Sequence, residues 1–194
     1  MERMEASDAE AVALARSGDA EGFRVLVERH GRSLFRLAYR MTGSEEDAED
    51  AVQETFLRAY RRLDGFEERA NVGSWLYRIA ANCAYDVLRT RRRRGGEVPA
   101  DDPASGETAA SVPSADPSPD RLVSSAEVRK RVHSAMSRMS TLERSAFVLR
   151  HFEGWTIEEI GQALDLERSA AKHSIFRAVR KVREVLAPVA GALP

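Results

Sequence analysis

The chain has 194 residues, 31% of them charged, a formal net charge of −1 and a single cysteine, Cys83. That length suits one or two small domains, and a lone cysteine excludes an intramolecular disulfide and fits a reducing compartment. The acidic N-terminus lacks an apolar signal core, and no run approaches the ~20 apolar residues of a bilayer span, so a soluble cytoplasmic protein without membrane insertion is expected.

Helical periodicity dominates and no alternating strand pattern stands out. Ser7 followed by Glu10 predicts a capped first helix that stops near Gly18. A second begins near Asp19 and carries Phe23, Leu26, Val27, His30, Leu34, Leu37, Ala38 and Met41 as one core stripe up to Gly43. Ser44 with Asp47 opens a third in capping-box style, with Ala48, Val52, Phe56, Ala59 and Leu63 facing the core and Asp64-Gly65 as the stop. A fourth runs from about Asn71 to Arg92 and should bury Trp75, Leu76, Ile79, Cys83 and Val87. Four helices of this length make a small bundle.

Residues 95–120 change character: Pro99, Pro103, Pro113, Pro117 and Pro119 stand among Gly, Ser, Ala and Asp. This composition predicts a disordered linker with an average span of roughly 28 Å. A second helical block starts near Arg121, with Val128, Val132, Ala135, Met136 and Met139 on one face. Thr141 is the expected cap of the next helix, which ends at Gly154; Thr156 with Glu159 caps a third, ending near Leu164. After Asp165-Leu166-Glu167 a long helix runs to about Leu186. The expected fold class is therefore all-α, with helical domains at 1–94 and 121–194 joined by a flexible linker at 95–120.

Near-zero net charge hides segregation. Residues 45–54 hold six acidic residues and no basic one, whereas Arg89, Arg91, Arg92, Arg93 and Arg94 follow on the fourth helix. Such patterning implies more than one partner surface. In the last helix Ala171, Ile175, Ala178, Val179 and Val182 form a buried stripe. Arg168, Ser169, Lys172, His173, Phe176 and Arg180 lie opposite, flanked by Arg177 and Arg183. A short helix, a tight turn and a basic second helix suit major-groove reading, although a solvated basic face has the same periodicity. On the fourth helix Asn71, Ser74, Arg78, Asn82, Tyr85 and Arg89 share a face, with amides, an aromatic edge and arginines suited to unstacked bases and phosphate. A polar bundle exterior explains that face equally well. Asp47, Asp50 and Glu54, beside Gln53, form an acidic face that should meet a protein rather than DNA.

No catalytic chemistry is visible. His30, His133, His151 and His173 do not pair with one another or with Cys83 at metal-ligand spacing, and no phosphate loop or nucleophile elbow occurs. No catalytic residue, metal or cofactor is expected.

Three segments resemble the extracytoplasmic-function sigma factors of bacterial RNA polymerase, in the sigma-70 family. D-A-E-D-A-V-Q-E-T-F-L-R-A-Y at 47–60 resembles the part of sigma region 2 that binds the β′ clamp helices. W-L-Y-R-I-A-A-N-C-A-Y-D-V-L-R at 75–89 is similar to the adjoining segment that melts and reads the promoter −10 element. L-E-R-S-A-F-V-L-R-H-F-E-G-W-T-I-E-E-I at 142–160 is similar to sigma region 4, which places the following helix on the −35 element. The resemblance covers roughly 20–94 and 122–186. It departs in the recognition helix: Asp165 stands where the family usually has Gly, Glu167 where it has a Ser cap, and Ala170-Ala171-Lys172-His173-Ser174 where a Thr-Val-Lys-Ser-Arg run is common.

The resemblance implies a non-catalytic transcription initiation subunit whose partners are core polymerase (β′ clamp helices and β flap), promoter DNA and an anti-sigma factor. It implies Asp47, Asp50, Gln53 and Glu54 for core binding. It implies Asn71, Ser74, Trp75, Arg78, Asn82 and Arg89 for the −10 element, with Asn82 and the loop 64–72 around a flipped base. For the −35 element it implies Arg168, Ser169, Lys172, His173, Arg177 and Arg180. The alternatives are a two-domain helix-turn-helix regulator acting without polymerase, and a nuclease using the acidic cluster for a metal.

Overall fold

The structure, a computed structural model, describes residues 7–66, 71–94 and 119–190. Among them it has eight α-helices and no strand. They fall into two separately packed units that divide between Gly96 and Glu97. Most of the expected linker, 95–118, lies outside the described residues, as do 67–70 of the loop; Pro119 and Asp120 already belong to a helix.

The first unit holds α1 (Asp8–Arg16), α2 (Ala20–Thr42), α3 (Glu45–Arg62), a 3-10 turn (Leu63–Gly65) and α4 (Val72–Arg94). Its helix ends follow from local chemistry. The Glu10 N–H donates to the Ser7 hydroxyl at 3.2 Å, and Glu10 returns a carboxylate oxygen to the Ser7 N–H at 2.6 Å. The Asp19 carboxylate takes the Glu21 N–H at 2.9 Å. Gly43 ends α2 at φ 75°, a conformation that costs a glycine little. Asn71 caps α4, its amide oxygen accepting the Ser74 N–H at 3.0 Å.

Large side chains of α2 (Leu26, Leu34, Leu37, Met41) and of α4 (Leu76, Ile79) fill the core, each worth about 1.5–3 kcal/mol of burial. α3 meets both helices through Ala48, Ala51, Thr55 and Ala59, all fully buried. The expected α3 stripe is thus rotated: Val52 and Phe56 are only half-buried, because the two-sided contact takes the small residues. Thr55 is satisfied within its helix, its hydroxyl donating to Ala51 O at 2.6 Å. Trp75 also departs from expectation. It is half-buried, with its ring 4.9 Å from that of Phe66, and Leu76 takes the core position beside it.

The second unit holds α5 (Pro119–Ser137), α6 (Thr141–His151), α7 (Ile157–Leu164) and α8 (Arg168–Ala190), with α8 packed on the other three. Ser140, not Thr141, caps α6. Only Ser140 has a Glu three residues on, and the reciprocal pair forms at 3.3 Å and 2.9 Å. Thr156 and Glu159 cap α7 as expected. Asp165 ends α7 at φ 54°, the only described non-glycine residue with positive φ. Asp tolerates this conformation better than most side chains.

Candidate nucleic-acid interface

α7 and α8 meet through a turn with little room. A Cβ added to Gly161 would lie 2.9 Å from Leu166 O, so only glycine fits without a shift. The Leu166 N–H donates to Gly161 O at 2.8 Å and closes the turn. α8 buries Ala171, Ser174 and Ala178, and Ser174 satisfies its hydroxyl on Ala170 O at 2.9 Å. The opposite face, with Arg168, Ser169, Lys172, His173, Phe176 and Arg180, is exposed along the helix. Phe176 is 63% exposed, an apolar ring in the middle of a basic face. Arg168 pairs with Glu158 at 3.0 Å and Arg180 with Glu184 at 3.6 Å, both in solvent, where such pairs are weak and open easily.

Arg177 does not share that face. It turns inward to Glu143, 3.2 Å away, where Lys181 also arrives at 2.7 Å. Lys181 donates in addition to Arg138 O at 2.9 Å. Glu143 is 2% exposed. Burial pushes its carboxyl up, but the Lys181 hydrogen bond, the Ser140 N–H and the two cationic charges outweigh burial and hold it below the ordinary carboxylate value. This triad ties α6 to α8 and was not foreseen; the only hint was that Glu143 follows a serine at capping spacing.

In the first unit Asn71, Ser74, Arg78, Asn82 and Arg89 are exposed along α4, and Trp75 lies at the edge of that row under Phe66. Asn71 already uses its amide oxygen as a cap, which leaves its NH2 as the group to donate outward.

The acidic face of α3 is less uniform than its sequence. Asp47 is not an exposed acid: its side chain is 13% exposed and accepts from Arg91 of the α4 tail at 2.6 Å. Its N–H, not its carboxylate, serves the Ser44 cap. Glu54 accepts from Arg58 at 2.6 Å, and Arg58 reaches on to Asp86 at 3.1 Å. Asp50 and Gln53 are exposed. Leu57 and Tyr60 extend the same face, 45% and 60% exposed, with the Tyr60 ring edge-on to Phe23 at 5.1 Å. The sequence reading missed both, although Leu57 falls off the apolar stripe of its helix and is a visible anomaly.

Among the described residues no group of three or more His, Cys, Asp or Glu could hold a metal ion, and no helix is long and apolar enough to cross a membrane.

A helix-turn-helix with a basic outward face and a second helical unit that sets an acidic helix beside a basic one define a DNA-binding transcription protein. Comparison with known proteins narrows the class. Sigma-70 region 2 matches residues 26–94 and sigma-70 region 4 matches 129–182. The chain is 33% identical over 174 residues to the RNA polymerase sigma factor CnrH of Cupriavidus metallidurans, covering 90% of this chain and 91% of that one. It is 30% identical over 184 residues to the RNA polymerase sigma-H factor of Pseudomonas aeruginosa, covering 94% and 95%. It is 33% identical over 162 residues to the ECF RNA polymerase sigma factor SigE of Mycolicibacterium smegmatis, covering 84% of this chain but 60% of that longer protein. Among solved structures, CnrH in complex with the cytosolic domain of CnrY aligns with a TM-score of 0.56 at 29% identity, over 93% of this chain and 97% of that one. The chain belongs to the extracytoplasmic-function sigma factors of bacterial RNA polymerase, within the sigma-70 family.

Proposed function

We propose that this sigma factor divides promoter recognition between its two units: α3 docks on core polymerase, α4 takes the melted −10 strand, and α8 enters the duplex at the −35 element. The observation that carries the reading is the separation of charge by helix. Asp50, Gln53, Leu57 and Tyr60 make an acidic and apolar surface on α3 that would repel DNA and suits a basic protein partner such as the β′ clamp helices. Asn71, Ser74, Trp75, Arg78, Asn82 and Arg89 on α4 supply amides, an aromatic ring and cations for unstacked bases and phosphate. Arg168, Ser169, Lys172, His173 and Arg180 face outward on α8, and Arg177 holds α8 in place through Glu143. The second unit would also receive the β flap.

On this reading residues 1–94 and 121–194 act as the two functional domains, with 95–120 as the tether. The protein has no catalytic activity of its own, works in the cytoplasm and answers to an anti-sigma factor that covers its polymerase and DNA surfaces. The related CnrH has been solved bound to the cytosolic domain of another protein, CnrY, so a sigma factor of this kind can carry a protein partner.

The test is reconstitution. Purified chain and core polymerase should form a stable complex and give run-off transcripts from a limited set of genomic fragments. DNA binding without core association would instead support a free-standing helix-turn-helix regulator.

A further inference from the structure

The −10 reading above leaves α1 unused, and α1 lies outside the residues that match sigma-70 region 2. Its packing is nonetheless close. A Cβ on Gly22 of α2 would meet Ala11 O and Ala15 N of α1 at 2.5 Å each, so the two backbones touch where only glycine fits. This contact holds α1 against α2 over the turn from Ala11 to Ala15, immediately before its last residue, Arg16.

Arg16 directs its guanidinium at backbone carbonyls. Its Nε donates to Leu63 O at 3.0 Å, and its Nη2 to Asp64 O at 3.4 Å and to Phe66 O. These carbonyls belong to the 3-10 turn and to the residue that follows it; Leu63 O also takes the Phe66 N–H at 3.1 Å, so the guanidinium adds a second donor there. A planar fork can bridge several oxygens at once, whereas a lysine ammonium on the same stem is a point donor. The held segment ends in Phe66, whose ring lies against Trp75 of the −10 face. The other end of α1 connects to the start of α4 indirectly, through His30 of α2. Asp8 pairs with Arg29 and lies 3.1 Å from His30 Nε2. The far side of that imidazole lies under Gly73, where an added Cβ would be 3.3 Å from His30 Cε1 and 3.0 Å from Asn71 Oδ1.

We infer that Arg16 is a positioning residue for the −10 face: by holding the carbonyls of residues 63–66 it sets Phe66, and through Phe66 the Trp75 ring, in the place where melted DNA is received. The inference rests on the assignment of the α4 face to the −10 element. Arg16 does not contact DNA; it acts through Phe66.

The test uses the full chain with core polymerase on a promoter fragment recovered by run-off transcription with the wild-type protein. Arg16→Ala should lower open-complex formation, read by permanganate reactivity, about tenfold, the equivalent of one charge-assisted hydrogen bond. Core affinity should be unchanged. Arg16→Lys should fall between, roughly threefold down, since it keeps the charge without the fork. A second readout needs no DNA. The chain has two tryptophans, so Trp155→Phe leaves Trp75 as the sole reporter. Its emission should shift to the red when Arg16 is replaced and recover partly with Arg16→Lys. Unchanged melting and emission in Arg16→Ala would overturn the inference. So would equal loss of core binding and melting with reduced helix content in both variants, which marks a folding role alone. Asn82→Ala is the control for the underlying reading. If it impairs melting and Arg16→Ala does not, only the positioning role fails; if neither does, the −10 assignment fails with it.

Discussion

Replacing Glu143 with glutamine should weaken the second unit, by an amount that depends on pH. The amide keeps the shape and an oxygen for the Ser140 N–H, but loses the charge that faces Lys181 and Arg177. Removing one partner of a fully buried pair costs roughly 3–5 kcal/mol because the other is stranded. Here the stranded side chains can reach water, since Lys181 is 28% and Arg177 41% exposed. The cost is therefore about 1–2 kcal/mol. For a unit of this size that lowers Tm by about 5–15 °C. The sign with pH follows from the lowered carboxyl value. A carboxylate held below its unfolded pKa, ~4.3 for Glu, contributes stability that is fully present above that value and is lost as pH falls through the lower folded value. Thermal unfolding followed by Trp155 fluorescence, in a Trp75→Phe background, isolates the second unit. The gap between that background protein and its Glu143→Gln derivative should be steady from about pH 7 to 5 and close below about pH 4. No gap near neutral pH, or an undiminished gap well below the carboxylate range, would refute the account of this triad.

Three further outcomes test the surfaces. Asp50→Lys with Glu54→Lys should weaken core polymerase binding in a titration while helix content stays constant; binding equal to wild type removes α3 as the docking face. Asn82→Ala should reduce promoter melting with core affinity intact, and Trp75→Ala should in addition destabilise the first unit by about 1–2 kcal/mol, less than the ~3–5 of a fully buried tryptophan. Lys172→Ala should cost about 1–3 kcal/mol of promoter affinity and relax preference at one −35 position, whereas Arg180→Ala should weaken all promoters alike and lower the salt slope by about one; selection from promoter variants separates a base reader from a phosphate contact.

Helix ends were readable from the sequence because they are decided within four residues. Ser7 with Glu10, Asp19, Gly43 and Thr156 with Glu159 each carry both partners of their cap in one short window. Three ends differ from expectation: Ser140 rather than Thr141 caps α6, as its spacing to Glu143 dictates; Ser44 and Asp47 form only half a capping box, because the Asp47 carboxylate goes to Arg91; and α6 ends at His151 rather than at Gly154. The outward face of α8 and the centre of the α2 stripe were legible because a 3.6-residue period separates apolar from polar, but Phe23, Val27 and His30 of α2 and Ile175, Val179 and Val182 of α8 are only half-buried, and Ser174 takes a core position on α8. α3 was harder, since a helix gripped from two sides buries alanines and a threonine and leaves larger apolar residues at the edges.

Periodicity fails at a different point: it shows which side of a helix is polar, but not which polar side chain finds a partner on another helix. Arg91 and Asp47 are 44 residues apart, Arg58 and Asp86 are 28, and Lys181 and Glu143 are 38. Nothing local connects them. The consequence is chemical. An acidic stripe and an arginine tail that read as two independent surfaces are in part each other's partners, joined at Asp47 and Arg91. A cation held by an internal acid is a weaker phosphate ligand than a free one, and an acid so held attracts a basic partner less. On the proposed assignment, strong binding on either surface would therefore come from exposed residues outside these pairs: Asp50 and Gln53 toward polymerase, and Asn82 and Arg89 toward DNA.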